Sequence, residues 1–368
     1  MLGLNRDTTN ALREAVGEVP DPELHRSLAE LGMLRNVSVS RSGRAEVEIA
    51  LTTAGCPMTS RLTQEVSAAA ESVVGVTQVA VRFTVMSELE RRALAERFFA
   101  TRKPSRQAPA REIYAVGSGK GGVGKSSVAA NLAVSLAQQG KRVGLLDADV
   151  WGYSVPQLFG ARHSPIAMYE MMLPVQAHGV SLMSLGFLVE DETPIVWRGP
   201  MLHKALTQFV QDVHWGDLDV LLLDLPPGTG DVTLSVLELL PTASLVVVTT
   251  PQQAARGVAS RVGVMARDVH MPIAGVVENM SELVCARCGD STPLFGAGGG
   301  RQLADELEVP LLGQVPLDAA LRQAGDDGVP VVVGSPASAS AVALTAIAAA
   351  IRPVRRSLVG LSLGLEPV

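Results

Sequence analysis

The sequence predicts an α/β fold in which a mostly parallel, doubly wound sheet follows a small α+β domain. Short valine- and leucine-rich runs without polar alternation recur between helical patterns, as expected for strands that are buried on both faces of a parallel sheet. A glycine-rich loop joins the first run to a helical pattern over Ser126–Gln139, an arrangement typical of phosphate-binding folds. The predicted strands are Ile113–Val116, Val143–Leu146, Val220–Leu223, Leu245–Thr249 and Ile273–Val277.

The chain has 368 residues, enough for two or three domains, and its pattern changes at the basic, proline-containing stretch TRKPSRQAP. We therefore predict a small α+β domain over residues 1–95, a solvated linker over residues 96–110 and the sheet domain over residues 111–368. The last helix is predicted over Ala337–Ile351. In the first domain the predicted elements are a helix Ala11–Val16, a turn Pro20–Pro22, a strand Ala45–Leu51, a helix Arg61–Val73 and a strand Val76–Val85.

Composition excludes several classes of function. The net charge is -6, which argues against a sequence-independent nucleic-acid binder, because such proteins neutralise phosphates with clustered lysine and arginine. The first ten residues, MLGLNRDTTN, lack the apolar core of a signal peptide, and no apolar run reaches the roughly 18 residues of a membrane span. Three cysteines do not make a disulfide framework in a chain of this length. We expect a cytoplasmic protein without nucleic-acid or membrane partners.

The stretch GKGGVGKS, which ends at Ser126, satisfies the phosphate-loop pattern and has a second lysine after its first glycine. Its glycines let successive backbone N–H groups point at phosphate oxygens, and the following helix contributes the positive end of its dipole. Lys125 adds a charge, and Ser126 offers a hydroxyl to Mg²⁺. The loop therefore predicts a nucleoside triphosphate site formed by Gly119, Lys120, Gly121, Gly122, Val123, Gly124, Lys125, Ser126 and Ser127.

Acidic residues follow two further predicted strands. Asp147 and Asp149 end one strand, and Asp224 begins the stretch DLPPGTGD that ends another. Ligands bind at the carboxyl ends of strands in open α/β sheets. One carboxylate can hold a water of Mg²⁺ while another positions the attacking water. A single aspartate is more often a helix cap or a solvated loop charge, but three strand ends meeting at one phosphate loop favour nucleotide hydrolysis.

The pair Cys285 and Cys288 comes just after a predicted strand. Two thiolates are half of a tetrahedral set, and a twofold-related copy would complete it. Spacing alone leaves a zinc site, an iron-sulfur cluster and a redox dithiol open. The third cysteine, Cys56, stands alone, and a lone cysteine is usually a small buried hydrophobe. The six histidines have no ligand spacing.

Taken together, these motifs resemble the deviant phosphate-loop ATPases, a class that includes septum-positioning, partition and nitrogenase-iron-protein relatives. Within it the sequence most resembles the Mrp/ApbC iron-sulfur cluster carriers over residues 111–333. Residues 1–95 resemble the MIP18-like domain, with Cys56 at its usual cysteine position. The matching stretches are Gly117–Ser126, Asp147–Gly152, Trp197–Met201, Asp224–Asp231, Glu278–Ser281 and Cys285–Gly289.

The resemblance implies roles for individual residues. Lys120 corresponds to the signature lysine, which in this class reaches across a dimer to the phosphates bound by the partner and stabilises the transition state. Asp149 corresponds to the residue that positions water, and Asp224 to the residue that reaches Mg²⁺ through water. Asn279 corresponds to a side chain that reads adenine.

The resemblance also implies a function, that of an ATP-hydrolysing homodimeric carrier that uses ATP and Mg²⁺. Such a carrier holds an iron-sulfur cluster, expected to be 4Fe-4S, between the Cys285 and Cys288 pairs of two chains. It would exchange the cluster with assembly factors and apoprotein clients.

Two alternatives remain from the sequence. A partition or cell-division positioning ATPase would need a basic surface or an amphipathic anchor, yet the stretch Leu358–Val368 has no lysine or arginine, and the cysteine pair would be unexplained. A nitrogenase-iron-protein-like electron donor would keep its cluster, whereas a carrier gives its cluster away.

Overall fold

The computed structural model describes residues 2–22, 26–52, 59–99, 109–149, 152–168, 171–188, 199–285 and 288–354. The described residues fall into two compact units, one drawn from residues 1–105 and 165–173 and the other from residues 106–164 and 174–368. The sequence pattern did not indicate that residues 165–173 belong with the first unit.

The helices and strands of the described residues are, in chain order, α1 Leu2–Gly17, β1 Leu34–Val39, β2 Arg44–Leu51, α2 Thr59–Glu71, β3 Gln78–Val85, α3 Glu88–Phe99, β4 Ala110–Ser118, α4 Lys125–Gln138, β5 Val143–Asp147, α5 Val155–Leu158, β6 Ile166–Met168, β7 Met171–Leu173, β8 Val175–Ala177, β9 Val180–Ser184, α6 Gly199–Gln211, β10 Leu218–Asp224, α7 Asp231–Leu239, β11 Ser244–Thr249, α8 Gln253–Asp268, β12 Ile273–Val284, β13 Ser291–Thr292, α9 Gly299–Glu306, β14 Leu311–Leu317, α10 Ala319–Asp327, α11 Val331–Gly334 and α12 Ala339–Ala350. A short 3-10 helix spans Leu185–Phe187.

The first unit is a small α+β fold, as the sequence predicts. Its sheet has the order β1-β2-β3, with β1 antiparallel and β3 parallel to β2. Alternate residues of β2, from Ala45 to Ile49, point into a core that also contains Leu12 of α1 and Leu62 of α2. The hairpin of β6 and β7 adds Leu173 to this core. Helix α3 continues to Phe99 and so enters the linker expected over residues 96–110.

The second unit is built on a sheet that has nine strands within the described residues. The order is β13-β12-β11-β4-β10-β5-β9-β8, and β14 pairs with β12. Pairing is parallel throughout except for the short strands β8 and β13. Every residue of β11 is buried, as expected for a strand covered on both faces. The predicted mostly parallel sheet is thus confirmed, and β4, the strand before the glycine-rich loop, lies inside it.

Helices cover both faces of this sheet. On one face α4 and α12 bury Tyr114, Val116 and Leu222. On the other face α8 approaches Gly117, where Val262 lies 3.8 Å from the position that a Cβ would take. None of the helices in the described part of the chain combines the length and apolar character needed to cross a bilayer.

One carboxylate joins the first turns of α10 and α12. Asp318 accepts hydrogen bonds from the N–H of Ala320 (2.8 Å) and from the N–H and hydroxyl of Ser340 (3.2 and 2.8 Å). Partial burial raises the pKa of this carboxyl, but the hydrogen bonds from Ala320 and Ser340 outweigh burial and hold the pKa below its ordinary 3.8.

We expect Asp318→Ala to lower the free energy of unfolding by about 1 kcal/mol at pH 7, because helix N–H groups lose their acceptor. The folded-state pKa is depressed, so the ionised carboxylate contributes its stability above the unfolded-state pKa of 3.8 and loses it as the pH falls through the folded-state value. Urea unfolding at pH 7 and near pH 3 tests this, with the exposed Asp326→Ala as control. If the difference in free energy of unfolding between wild type and Asp318→Ala were as large near pH 3 as at pH 7, the stabilising role of the ionised carboxylate would be contradicted.

Candidate functional site

The glycine-rich loop lies where β4 meets α4, with the ends of β10 and β11 on either side. Gly119 packs against α8 so closely that an added Cβ would overlap the backbone of Val258 and Ala259. Gly122 and Gly124 have φ of 78° and 79°, the left-handed region that side chains disfavour. The loop conformation therefore requires glycine at these positions.

The loop leaves room for an anion. Apart from the adjoining residues of the loop, no atom of the described residues lies within 4 Å of the position that a Cβ would take at Gly121 or Gly122. Helix α4 begins at Lys125, and its N-cap residue, Gly124, has no side chain that could cap the first N–H groups. Uncapped N–H groups and the helix dipole favour negative charge at this end, where Ser127 lies in the first turn. The residues present fit a triphosphate.

The structure brings four of the predicted site residues together around one ammonium group. The Nζ of Lys125, whose side chain is 6% exposed, lies 2.5 Å from Asp224 Oδ1 and 4.0 Å from Asp149 Oδ2. It also lies 3.3 Å from the hydroxyl of Ser126. Two acidic strand ends thus converge on the phosphate loop, as predicted.

Asp224 keeps one oxygen available for a further ligand. The residue is fully buried, and burial raises its pKa although the charge of Lys125 lowers it. Its Oδ2 has no hydrogen-bond partner among the described residues, which is rare for a buried polar atom. The nearby hydroxyl of Ser126 also lowers the pKa of this carboxyl. Hard oxygen donors next to a phosphate loop fit Mg²⁺ or one of its waters.

Asp147 holds the segment after β5 in place through hydrogen bonds. Its Oδ1 accepts the N–H of Asp149 (3.1 Å), and its Oδ2 accepts the N–H of Val155 (3.3 Å) and the hydroxyl of Ser184 (3.0 Å). Burial, together with the charge of Asp224, raises the pKa of Asp147 well above the ordinary carboxyl range. Asp147 therefore fixes the segment that holds Asp149, a role that Ser184 shares.

The side chain of Asp149 is fixed by a hydrogen bond of its own. Its Oδ1 accepts the N–H of Gly152 at 3.1 Å, while its Oδ2 lies 4.0 Å from Lys125 Nζ. The carboxylate is therefore held in one orientation on the phosphate side of the β5 strand end.

Lys120 is bound within its own chain. Its Nζ donates to Gln252 Oε1 at 3.2 Å, and its carbonyl accepts the hydroxyl of Ser118 at 3.0 Å. Gln252 directly precedes α8, far away in sequence, and no motif indicated it. Among the described residues, the ion pairs of Asp149 and Asp224 are with Lys125, and Lys120 takes no part in them.

Asn279 lies against the phosphate loop. Its Nδ2 donates to the carbonyl of Val123 at 2.8 Å, and the side chain is almost fully buried. Its Oδ1 has no partner among the described residues, which leaves one acceptor for a ligand. Recognition of adenine by Asn279 stays a prediction.

The cysteine pair lies at the turn of a small hairpin. The last residues of strand β12 lie at the edge of the sheet, where Leu283 and Val284 pair with the short strand β13. The N–H of Gly289 donates to the carbonyl of Cys285 at 2.8 Å, and the N–H of Cys285 donates to the carbonyl of Asp290 at 2.9 Å. The hairpin therefore holds both ends of the CxxC motif in one turn.

Both thiols are exposed. The Sγ of Cys288 lies 3.3 Å from Asp290 Oδ2. The part of the chain that the structure describes holds no group of three or more histidine, cysteine or acidic residues that could hold a metal ion. Cys285 and Cys288 thus present two thiol groups at the surface.

Several stretches singled out in the sequence lie outside the described residues. They are Cys56, Val150–Trp151, Trp197–Arg198, Ala286–Arg287 and Leu358–Val368.

Comparison with known proteins shows the family to which the chain belongs. The model described as NUBPL iron-transfer P-loop NTPase matches residues 109–352, and the model described as iron-sulfur cluster assembly protein matches residues 9–81. A relative from Mycobacterium tuberculosis (strain H37Rv), named iron-sulfur cluster carrier protein, is 49% identical over 98% of this chain and 97% of its own length. A relative of the same name from Synechocystis is 42% identical over 93% of this chain and 96% of its own.

Among solved structures, the chain is similar to a nucleotide-binding protein from Archaeoglobus fulgidus in complex with ADP. The two share 38% identity with a TM-score of 0.54, over 60% of this chain and 87% of that one. The family match covers the phosphate loop, the acidic strand ends and the cysteine hairpin. The chain therefore belongs to the family of NUBPL iron-transfer P-loop NTPases.

Proposed function

We propose that this protein is an ATP-hydrolysing homodimeric carrier that binds an iron-sulfur cluster and transfers it to apoproteins in the cytoplasm. The observation on which the proposal rests is that one compact unit holds both a phosphate loop with a buried lysine–carboxylate group and an exposed pair of thiols. The name shared by its relatives, iron-sulfur cluster carrier protein, supports the choice of cargo.

The residues around Lys125 account for hydrolysis of ATP. Lys125 would exchange its contact with Asp224 for the β and γ phosphates, and Ser126 and Asp224 would hold Mg²⁺ directly or through water. Bound Mg²⁺ neutralises charge on the phosphates. Asp149, held in place by Gly152, would orient the attacking water.

We expect Asp149→Asn to keep ATP and Mg²⁺ but to slow hydrolysis by about 100-fold, because an amide of the same shape cannot polarise water as a carboxylate does. Single-turnover rates measure the effect, and titration with Mg²⁺ is the control. If hydrolysis were unchanged while Mg²⁺ affinity fell, Asp149 would be a metal residue and the roles of Asp149 and Asp224 would have to be exchanged.

The dimer would form over the phosphate sites. For Lys120 to reach the phosphates of the partner, it must leave Gln252, and its charge then stabilises the transition state across the interface. Two copies placed in this way can also bring their cysteine pairs together, because a twofold axis presents identical surfaces to each other.

Lys120→Ala is expected to retain ATP binding and to lose hydrolysis, by about 100-fold, since the lysine acts only in the assembled dimer. Calorimetry gives the affinity and phosphate release gives the turnover. Gln252→Ala is the matched control, because it removes the partner of Lys120 in the single chain and leaves the charge in place. Wild-type turnover in Lys120→Ala would rule out the lysine-bridged dimer.

The cysteine hairpin would supply the cluster ligands. Two pairs of Cys285 and Cys288 make four thiolates, the complement of a 4Fe-4S cluster. Their exposure suits a cluster that has to leave, since a structural metal site is normally enclosed.

Anaerobic reconstitution with iron and sulfide tests the cargo. We expect about four iron and four sulfide per dimer, with a visible absorption band from thiolate-to-iron charge transfer. Zinc content without sulfide would identify a zinc site instead, and protein that stays metal-free under these conditions would identify a dithiol.

A further inference from the structure

Strand β12 joins the phosphate loop to the cysteine hairpin without an intervening loop. Its residue Asn279 contacts the loop, and Cys285 directly follows its last residue. Six residues of chain reach at most about 20 Å. A displacement at the phosphate loop can therefore reach the thiols along a single strand.

Two consecutive residues of β12 lie against the same loop. Asn279 Nδ2 donates to the carbonyl of Val123 at 2.8 Å. A Cβ at Gly124 would lie 3.5 Å from Asn279 Cγ and 3.9 Å from Met280 Cε. Neighbouring side chains of a regular strand point to opposite faces of the sheet. The strand must therefore depart from regular geometry at this point.

The departure occurs at Met280. Its φ is 58°, in the left-handed region, and the pairing of β12 with β14 shifts register between Asn279 and Leu283. Of the four non-glycine residues with positive φ in the described part of the chain, Met280 alone lies within a strand, and the others, His178, His270 and Glu308, lie in turns. Methionine adopts this conformation only when its surroundings impose it, and such residues cluster at switch regions.

The strand is anchored before this bend and exposed after it. The carboxylate of Glu278 accepts hydrogen bonds from the N–H of Gly300 and the side chain of Gln314, which fixes the strand to α9 and β14. Residues 273–279 are buried, whereas the residues that follow become progressively exposed towards Val284. After the bend, one pairing within the described residues, Leu283 with Leu317, joins the strand to β14. The hairpin therefore has fewer restraints than residues 273–279 and can tilt about Met280 while the preceding strand stays in place.

We propose that Met280 is a positioning residue that couples the phosphate loop to the cysteine hairpin, so that the nucleotide state sets how readily the cluster leaves. The proposal rests on the proposed function for the cargo at Cys285 and Cys288. A nucleotide that changes the positions of Val123 and Gly124 also moves the side chains of Asn279 and Met280, which lie against them. The left-handed bend turns this movement into a tilt of the hairpin, which changes the separation of the two cysteine pairs across the dimer.

The test compares Met280→Gly with two controls. Glycine accepts the left-handed φ, so the variant is expected to fold, but it lacks the side chain that contacts the loop and loosens the bend. Met280→Leu retains a side chain of similar size and should restore coupling. His270→Gly relieves a similar backbone conformation, φ 57°, in a turn outside β12, and should leave coupling intact.

Two rates report the coupling, each measured with and without Mg²⁺-ATP. One is transfer of the reconstituted cluster to an apoferredoxin, and the other is alkylation of the two hairpin thiols in cluster-free protein in which Cys56 is replaced by serine. We expect ATP to change both rates of the wild type by at least about fivefold. In Met280→Gly this ratio should fall close to one, while cluster content and ATP affinity stay at wild-type values.

The coupling would be overturned if the ratio of rates with and without Mg²⁺-ATP were the same in Met280→Gly as in the wild type. It would also be overturned if ATP changed neither rate of the wild type. These results leave the proposed function standing if the wild type still binds and transfers its cluster. Conversely, a wild type that binds no cluster defeats the proposed function, and the alkylation ratio still decides whether Met280 connects the two sites.

Discussion

Lys125→Ala is expected to weaken binding of ATP–Mg²⁺ by about 1000-fold. The substitution removes the charge nearest the β and γ phosphates and leaves the carboxylates of Asp149 and Asp224 facing the triphosphate without compensation. Loss of one partner from a buried charge pair costs about 4 kcal/mol, which corresponds to that factor. Isothermal titration calorimetry measures the affinity directly.

The control for this variant is Lys141→Ala. Lys141 is also a lysine of the second unit, but it pairs with Glu112 at the surface, so its removal should leave ATP affinity unchanged. Because Lys125 pairs with a buried carboxylate, its removal can also lower the stability of the protein. Thermal unfolding of the variant must therefore be measured alongside the titration. Burial already raises the pKa of Asp224, so protonation can relieve its unpaired charge in the variant. Wild-type affinity in a folded Lys125→Ala protein would mean that the nucleotide binds elsewhere.

Cys288→Ala is expected to abolish cluster binding. Each chain would retain one hairpin thiolate, so a dimer would offer two ligands where four are needed. Iron and sulfide analysis after anaerobic reconstitution measures the loss. The side chain is exposed, and surface substitutions rarely alter stability, so the fold and ATP affinity should remain at wild-type values.

Cys56→Ala is the matched control, because it removes the third cysteine of the chain and leaves the two CxxC motifs complete. It should keep a wild-type cluster content, although transfer would slow if the first unit handles clusters. A double variant, Cys285→Ala with Cys288→Ala, that still held wild-type iron and sulfide would place the cluster elsewhere in the chain.

Patterns of local sequence were sufficient to predict the sheet and the phosphate loop. Runs such as Leu245–Thr249 are rich in β-branched residues and too short for a buried helix, so they indicate buried strands. In the loop, Gly119, Gly122 and Gly124 are required by close packing or by positive φ. The meeting of Lys125, Asp149 and Asp224 followed from a general property of parallel sheets, whose carboxyl ends share one edge.

Contacts between distant segments could not be read from the sequence. Gln252 is 132 positions away from Lys120, and Ser184 is 37 positions away from Asp147, so nothing local signals either hydrogen bond. The hairpin of β6 and β7 joins the first unit through the packing of Leu173 in its core. The sequence does not reveal this, because an apolar residue in a loop gives no sign of which core it enters. The left-handed φ of Met280 is likewise invisible in a sequence, since glycine or asparagine would be expected there.

The most direct test of the central claim is transfer of a cluster under anaerobic conditions. Reconstituted protein is mixed with an apoferredoxin, with and without Mg²⁺-ATP, and after separation the iron, sulfide and visible spectrum of each protein are measured. A carrier loses its cluster, and the ferredoxin gains the same amount of iron and sulfide together with its own spectrum. A cluster that stays on this protein in every nucleotide state while the ferredoxin remains apo would contradict the account and favour an electron donor.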